Sequence, residues 1–173
     1  MAAPRYTLVD IPGWGWVGIL ASPRGIRRLT LPQPSPLAAL IGLGLAKGDM
    51  EPGPTLGAFP DLEHRLEGYF RGERVSFPDA LDLVGTPFQR EVWEVVRTIP
   101  YRETRSYAWV AHQTGRPGAA RSVGQAMGAN PVPIIVPCHR VIGTRGDLRG
   151  YGGPQGVPLK QRLLEMEYGN SAE

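Results

Sequence analysis

Cys138 is the only cysteine in 173 residues, and it is followed at once by His139, one of three histidines, and by Arg140. A thiolate is a strong nucleophile, but a free thiol with a pKa of about 8.5 is mostly protonated at neutral pH. A neighbouring base that takes the proton during attack answers that deficit. Such a base needs an orienting partner on its other ring nitrogen. A lone cysteine reads first as a small buried hydrophobe. Here the residues around it argue for more. Asn130-Pro-Val-Pro-Ile-Ile-Val-Pro-Cys138 is an apolar run punctuated by Pro131, Pro133 and Pro137, which reads as a short, largely buried extended segment delivering Cys138 to a fixed place. Adjacent residues of an extended segment point to opposite faces. Either the chain turns sharply at Pro137-Cys138, then, or something bridges the thiol and the imidazole.

The elements that must hold this segment lie on both sides of it. Thr86-Pro87-Phe88-Gln89 is a helix start with a cap, a proline at the first helical position and a capping-box glutamine. Phe88, Val92, Val95, Val96 and Ile99 form its apolar face, and Pro100 ends it. Ser106 caps a short helix through His112, Gly115 to Gly118 turn the chain, and Ala119 to Gly128 form a second helix. Helix, glycine-containing turn and small-residue helix is a helix-turn-helix pattern. Ala119, Ala120, Gly124, Ala126 and Gly128 make the second helix slim, and Arg121 projects from it. Leu159 to Tyr168 is a final amphipathic helix carrying Glu165 and Glu167.

The N-terminal part reads differently. Arg5 to Asp10, Trp14 to Leu20 and Gly25 to Leu31 form a three-stranded antiparallel meander. Leu37 to Lys47 and Asp61 to Arg71 are helices, Val75 to Phe77 a further short strand, and Pro78 to Gly85 the linker. Nothing in this part carries evident chemistry. The fold class is therefore α/β, with a small antiparallel-sheet-and-helix domain over 1–80 and a mainly helical domain over 81–173.

Composition narrows the function further. Hydrophobic content of 42% and charged content of 20% describe an ordinary globular chain. No apolar run reaches the length of a membrane span, and no basic-then-apolar leader opens the sequence, so no membrane partner and a cytoplasmic location are expected. One cysteine and three scattered histidines leave no recognisable metal set. Residues 1–84 carry net −1 and residues 85–173 net +4, which makes the second half the part suited to a polyanion.

Pro137-Cys138-His139-Arg140-Val141, together with the order Arg121, Asn130, motif, Glu167, resembles the active-site signature of the O6-alkylguanine-DNA alkyltransferases. The resemblance covers residues 86–169 closely and 1–85 only in arrangement. It implies an N-terminal domain distantly like ribonuclease H and a C-terminal winged helix-turn-helix. It also implies a repair protein that extrudes O6-alkylguanine, and O4-alkylthymine, from duplex DNA and moves the alkyl group to Cys138. In that family a water joins the thiol to His139, and Glu167 orients His139. Tyr107 donates to guanine N3, and Asn130 ties the recognition helix to the active-site loop. Arg121 fills the gap left by the extruded base from the minor groove. Ala120, Ser122, Gly124 and Arg140 are its implied companions at the DNA. Pro133, Val141, Tyr151, Gly152 and Gly153 are implied to line the base pocket, with glycine-loop N–H groups on O6. No cofactor is implied, and the protein is expected to be a monomer.

The thioether product offers no carbonyl for water to attack and no second cysteine can accept the group, so one turnover per molecule is expected. The sequence departs from the family in a longer loop after Tyr151 and in Arg162, where relatives often carry Trp. Two other readings compete. A cysteine hydrolase with a Cys/His pair would turn over an acyl ester many times. A binding-only module would flag damage without reacting, but the non-catalytic relatives replace the cysteine.

Overall fold

The structure, a computed structural model, describes residues 4–45, 47–50, 53–148 and 156–169, with backbone only for Lys47 and Asp49. It divides into two compact units, Met1–Val84 and Gly85–Glu173.

In the first unit β1 (Arg5–Ile11), β2 (Gly15–Ser22) and β3 (Gly25–Leu29) form the antiparallel meander in the order β1-β2-β3. Tyr6 lies opposite Leu20 and Val9 opposite Val17, so alternate residues face opposite sides of the sheet. Helix α1 (Pro36–Gly42) covers the face bearing Tyr6 and Leu20, and Leu43 joins their cluster. It comes so close that a Cβ on Gly18 would lie 2.9 Å from the Leu43 side chain. The expected helix through Lys47 stops early because Gly44 adopts φ +66. Helix α2 (Pro60–Phe70) buries Leu62, Leu66, Tyr69 and Phe70, and Trp14 donates its indole N–H to the Phe70 carbonyl at 2.9 Å. His64 on this helix is exposed.

Two expectations for the first unit need correction. Residues 75–77 form no strand; Phe77 instead meets the Tyr69 ring at 6.2 Å and the Arg65 guanidinium at 5.8 Å. The presumed linker is docked: Ile26 N–H donates to Ala80, Asp82 N–H donates to Ile26, and Arg27 pairs with Asp82 at 2.9 Å. That pairing holds residues 80–82 in the first unit and moves the boundary to 84/85, beyond the expected 80/81.

The second unit opens with α3 (Pro87–Arg97), whose capping box between Thr86 and Gln89 is complete. Its largest buried side chain is Trp93, 1% exposed, which donates to the Ala126 carbonyl at 2.9 Å and so fastens α3 to the second helix of the helix-turn-helix. A parallel pair of two-residue strands, β4 (Arg105–Ser106) and β5 (Val141–Ile142), joins the start of that motif to the residues after Cys138. Nothing in the hydrophobic pattern announces strands this short. Among the described residues no helix is long and apolar enough to cross a membrane.

Replacing Trp93 by Phe removes a buried hydrogen bond and leaves a void, so Trp93→Phe is expected to lower stability by about 2 kcal/mol in urea unfolding. A loss below about 0.5 kcal/mol, the level of a surface change, would show that this tether matters little.

Candidate active site

Helices α4 (Tyr107–Gln113) and α5 (Ala120–Gly128) make the helix-turn-helix. Ser106 caps α4 by accepting from Trp109 N–H at 2.9 Å, and Gly115 turns the chain at φ +74. Arg121 and Ser122 are exposed on α5, while Ala120 and Gly124 are half-buried. A Cβ on Gly124 would lie 4.0 Å from the Tyr107 ring, so the missing side chain lets α5 sit close to the first residue of α4.

After α5 the chain is fixed by Asn130. Its side-chain oxygen accepts from Val132 N–H at 3.0 Å and its amide donates to the Val136 carbonyl at 2.9 Å. Within this span Val136 N–H donates back to Val132 at 3.0 Å. Ile134 is forced to φ +76, a conformation that costs a β-branched residue about 1–3 kcal/mol. The segment is buried, as expected, but it is turned and not extended. The Val136 carbonyl also accepts from Cys138 N–H at 2.8 Å around Pro137 at φ −80, ψ 66, an inverse γ-turn. Cys138–Arg140 then form a single turn of 3-10 helix. The chain thus does turn sharply at Pro137-Cys138, one of the geometries left open by the sequence.

That turn directs His139 and Arg140 inward. His139 Nε2 meets Glu167 Oε2 at 2.5 Å, and both side chains are fully buried. Arg140 donates through Nε to Glu167 Oε1 at 2.9 Å, through Nη2 to Oε2 at 3.2 Å, and through Nη1 to the Ile99 carbonyl at 2.8 Å. Arg102, at φ +70, adds its own N–H to Oε1 at 3.2 Å and its Nε to the Glu167 carbonyl at 2.8 Å. Glu167 comes from α6 (Gly156–Gly169). Its rival Glu165 is exposed and accepts from Gln161 at 2.9 Å.

Burial alone would raise the Glu167 pKa, but the hydrogen bonds and charges of His139 and Arg140 outweigh it and hold the carboxyl down at about 2. Burial lowers the His139 pKa by more than Glu167 raises it, and the charges of Arg140 and Lys160 push the same way. The imidazole is therefore neutral near pH 7, the form in which it accepts a proton.

Cys138 is 7% exposed, and Pro133 and Val141 are buried beside it in sequence. Arg140 does not fit its expected place at the DNA. It is 8% exposed, and its guanidinium is consumed by Glu167 and Ile99. Tyr151, Gly152 and Gly153 lie outside the described residues. Sequence reasoning passed over Lys160, which is fully buried and donates to the Val141 carbonyl at 2.6 Å and to the Tyr107 hydroxyl at 3.5 Å. A lysine at helical spacing with Leu159 and Leu163 looks like an ordinary solvated residue, so only its seven-residue offset from Glu167 hinted that both share one face.

The two shifts act together on stability. Glu167 is depressed from 4.5, so its contribution is complete above pH 4.5 and fades as pH falls toward about 2. His139 is depressed from 6.5, so below that pH the unfolded chain binds the proton first and stability falls further. Urea unfolding should show stability declining below pH 6.5 and more steeply below 4.5. Glu167→Gln strands a buried guanidinium, and is expected to cost about 3–5 kcal/mol at pH 7 and to flatten the acid limb. An acid limb of unchanged slope in the variant would assign that decline to other groups.

Comparison with known proteins identifies the family. Residues 87–169 match the family described as 6-O-methylguanine DNA methyltransferase, DNA binding domain. The methylated-DNA–protein-cysteine methyltransferase of Mycobacterium bovis is 56% identical over 114 residues, 66% of this chain and 68% of that protein. The crystal structure of Mycobacterium tuberculosis O6-methylguanine methyltransferase superposes with a TM-score of 0.81 at 40% identity, covering 98% of this chain and 96% of the other. Mycobacterium tuberculosis OGT in complex with DNA superposes at 0.78 with 42% identity, over 95% of this chain and 93% of that one. With the Cys-His-Arg turn built on a buried glutamate beside a helix-turn-helix, the chain belongs to the methylated-DNA–protein-cysteine methyltransferase family.

Proposed function

We propose that this protein repairs alkylated DNA by moving the alkyl group of O6-alkylguanine, and of O4-alkylthymine, from the base to its own Cys138. The observation that carries the reading is the buried pair of Glu167 with His139, the residue that immediately follows the only cysteine in one turn of 3-10 helix. Glu167 occupies His139 Nε2, so Nδ1 is the nitrogen that receives the thiol proton, through a bridging water. The sulfur then attacks the alkyl carbon in line with the C–O6 bond. A C–S bond forms, and the guanine oxygen leaves with the electron pair.

Developing charge on the leaving base calls for donors aimed at it. Tyr107, half-buried at the start of α4, supplies one through its hydroxyl to guanine N3. Backbone N–H groups around Tyr151, Gly152 and Gly153 supply others at O6. Pro133 and Val141 wall the base, and Asn130 keeps the turn that carries Cys138 in register with α5.

The base is out of reach inside the stack, so it must be extruded at a cost of about a few kcal/mol. Helix α5 enters the minor groove, with Ala120 and Gly124 permitting close approach, Ser122 exposed toward the backbone and Arg121 in the vacated space. Minor-groove binding reads little sequence, which suits a protein that must find damage anywhere. The protein acts as a monomer, in the cytoplasm, and the thioether ends its activity after one transfer. The domain over 85–173 carries the whole reaction; the preceding one supports it.

Intact mass after mixing with an O6-methylguanine duplex should show one added methyl, on Cys138, saturating at one per molecule. Cys138→Ala should abolish this while keeping damaged-duplex binding, and continued methyl uptake by the variant would refute the assignment. Arg121→Ala should slow transfer from duplex by about tenfold or more, a loss of about 1.4 kcal/mol, and leave reaction with free O6-benzylguanine nearly intact. An equal loss on both substrates would remove the extrusion role.

A further inference from the structure

Lys160 has no part in the steps above, yet its position is costly. Its side chain is fully buried, and taking an ammonium out of water costs several kcal/mol unless charges and hydrogen bonds compensate. The compensation comes from groups of the reactive centre. Nζ donates to the Val141 carbonyl at 2.6 Å and to the Tyr107 hydroxyl at 3.5 Å, and lies 5.6 Å from the centre of the Tyr107 ring. The titratable groups facing it are Cys138 and His139 on the 3-10 turn, Tyr107 on α4 and Asp147 on the turn after β5. Lys160 and Glu167 stand seven residues apart on α6, two turns along one face and about 10 Å apart on the axis. One helix face thus carries an anion held against the imidazole and, two turns away, a cation held against Tyr107 and the Val141 carbonyl, three residues beyond Cys138. A carbonyl anchor alone would be served by a neutral donor at far lower desolvation cost.

We propose that Lys160 is a positioning residue for the transfer, its ammonium stabilising the thiolate form of Cys138 and fixing the Tyr107 hydroxyl where it meets the base. The inference rests on Cys138 being the nucleophile. The thiol proton still goes to His139, the sulfur pair still forms the C–S bond, and Lys160 keeps its own proton throughout. Burial draws the Lys160 pKa down to about 8, against the opposing pull of Cys138 and Asp147, so the cation persists at neutral pH. The attraction is mutual: whatever raises the lysine lowers the thiol.

The test is the pH profile of Cys138 alkylation by iodoacetamide in the full chain, for wild type, Lys160→Gln and Lys160→Met. Gln keeps a donor for the Val141 carbonyl and loses only the charge. The wild-type midpoint should lie below the ordinary thiol value of about 8.5, and in both variants it should rise by about one pH unit. At about pH 9.5, where the thiol ionises unaided, the variant rates should equal or exceed wild type. A wild-type midpoint at or above 8.5 overturns the proposal without any variant. An unmoved midpoint in folded Lys160→Gln, or a loss equal at every pH, also overturns it. Methyl transfer from an O6-methylguanine duplex, followed in parallel, separates the two readings. Transfer with an unmoved midpoint sinks the role of Lys160 alone; no transfer by wild type sinks the assignment beneath it.

Discussion

A carboxylate sealed away from water is the constraint on which the second unit depends. Glu167 is completely buried and takes hydrogen bonds from His139, Arg140 and the main chain of Arg102. An uncompensated charge at such a depth is not tolerated; a pair with good geometry and every lone pair used is. The consequence is architectural. The last helix, the turn after α3 and the Cys138 turn must all meet at one point, because each contributes a group that Glu167 cannot do without. A strained Arg102 and a buried guanidinium are accepted as part of that arrangement.

The same carboxylate holds the imidazole through Nε2, and because the carboxyl is ionised and the imidazole neutral, the proton between them belongs to His139. Burial outweighs the carboxylate in setting the state of His139, and the charge of the Arg140 guanidinium pushes the same way. The residue that looked suited to phosphate contact is instead buried against Glu167 and the Ile99 carbonyl.

The sequence made some of this legible and hid the rest for identifiable reasons. Strong local signals carried through: the alternating strands of the meander, the Thr86–Gln89 capping box and the small-residue helix all fix backbone conformation over a few residues. The Cys138, His139, Asn130 and Glu167 quartet was readable through the family resemblance, since nothing in local spacing joins residues 28 positions apart. What stayed hidden was decided by tertiary contact. The strands β4 and β5 exist only because each has the other. Val75 to Phe77 has strand-like composition but no ladder to join. Trp93 is buried by Ala126, a partner 33 residues away. Arg140 and Lys160 are residue types that default to solvent, and only the site makes their burial favourable.

Their burial also changes what the charge of the second half means. Residues 85–173 carry net +4, which invites the view that the whole excess faces a polyanion. With Arg140 and Lys160 positive, Glu167 negative and His139 neutral, one of those four charges is inside the protein. Of the surface arginines, Arg105 pairs with Glu103 at 2.9 Å and Arg116 with Glu91 at 3.4 Å, although such exposed pairs leave each cation available to a phosphate. The net charge left for the surface of the second unit is therefore smaller than the sequence suggests, and Arg121 is part of it, exposed on the small-residue helix α5. A net charge counted from sequence is thus a poor measure of what a surface can attract when buried ionised groups such as Arg140 and Lys160 contribute to the count.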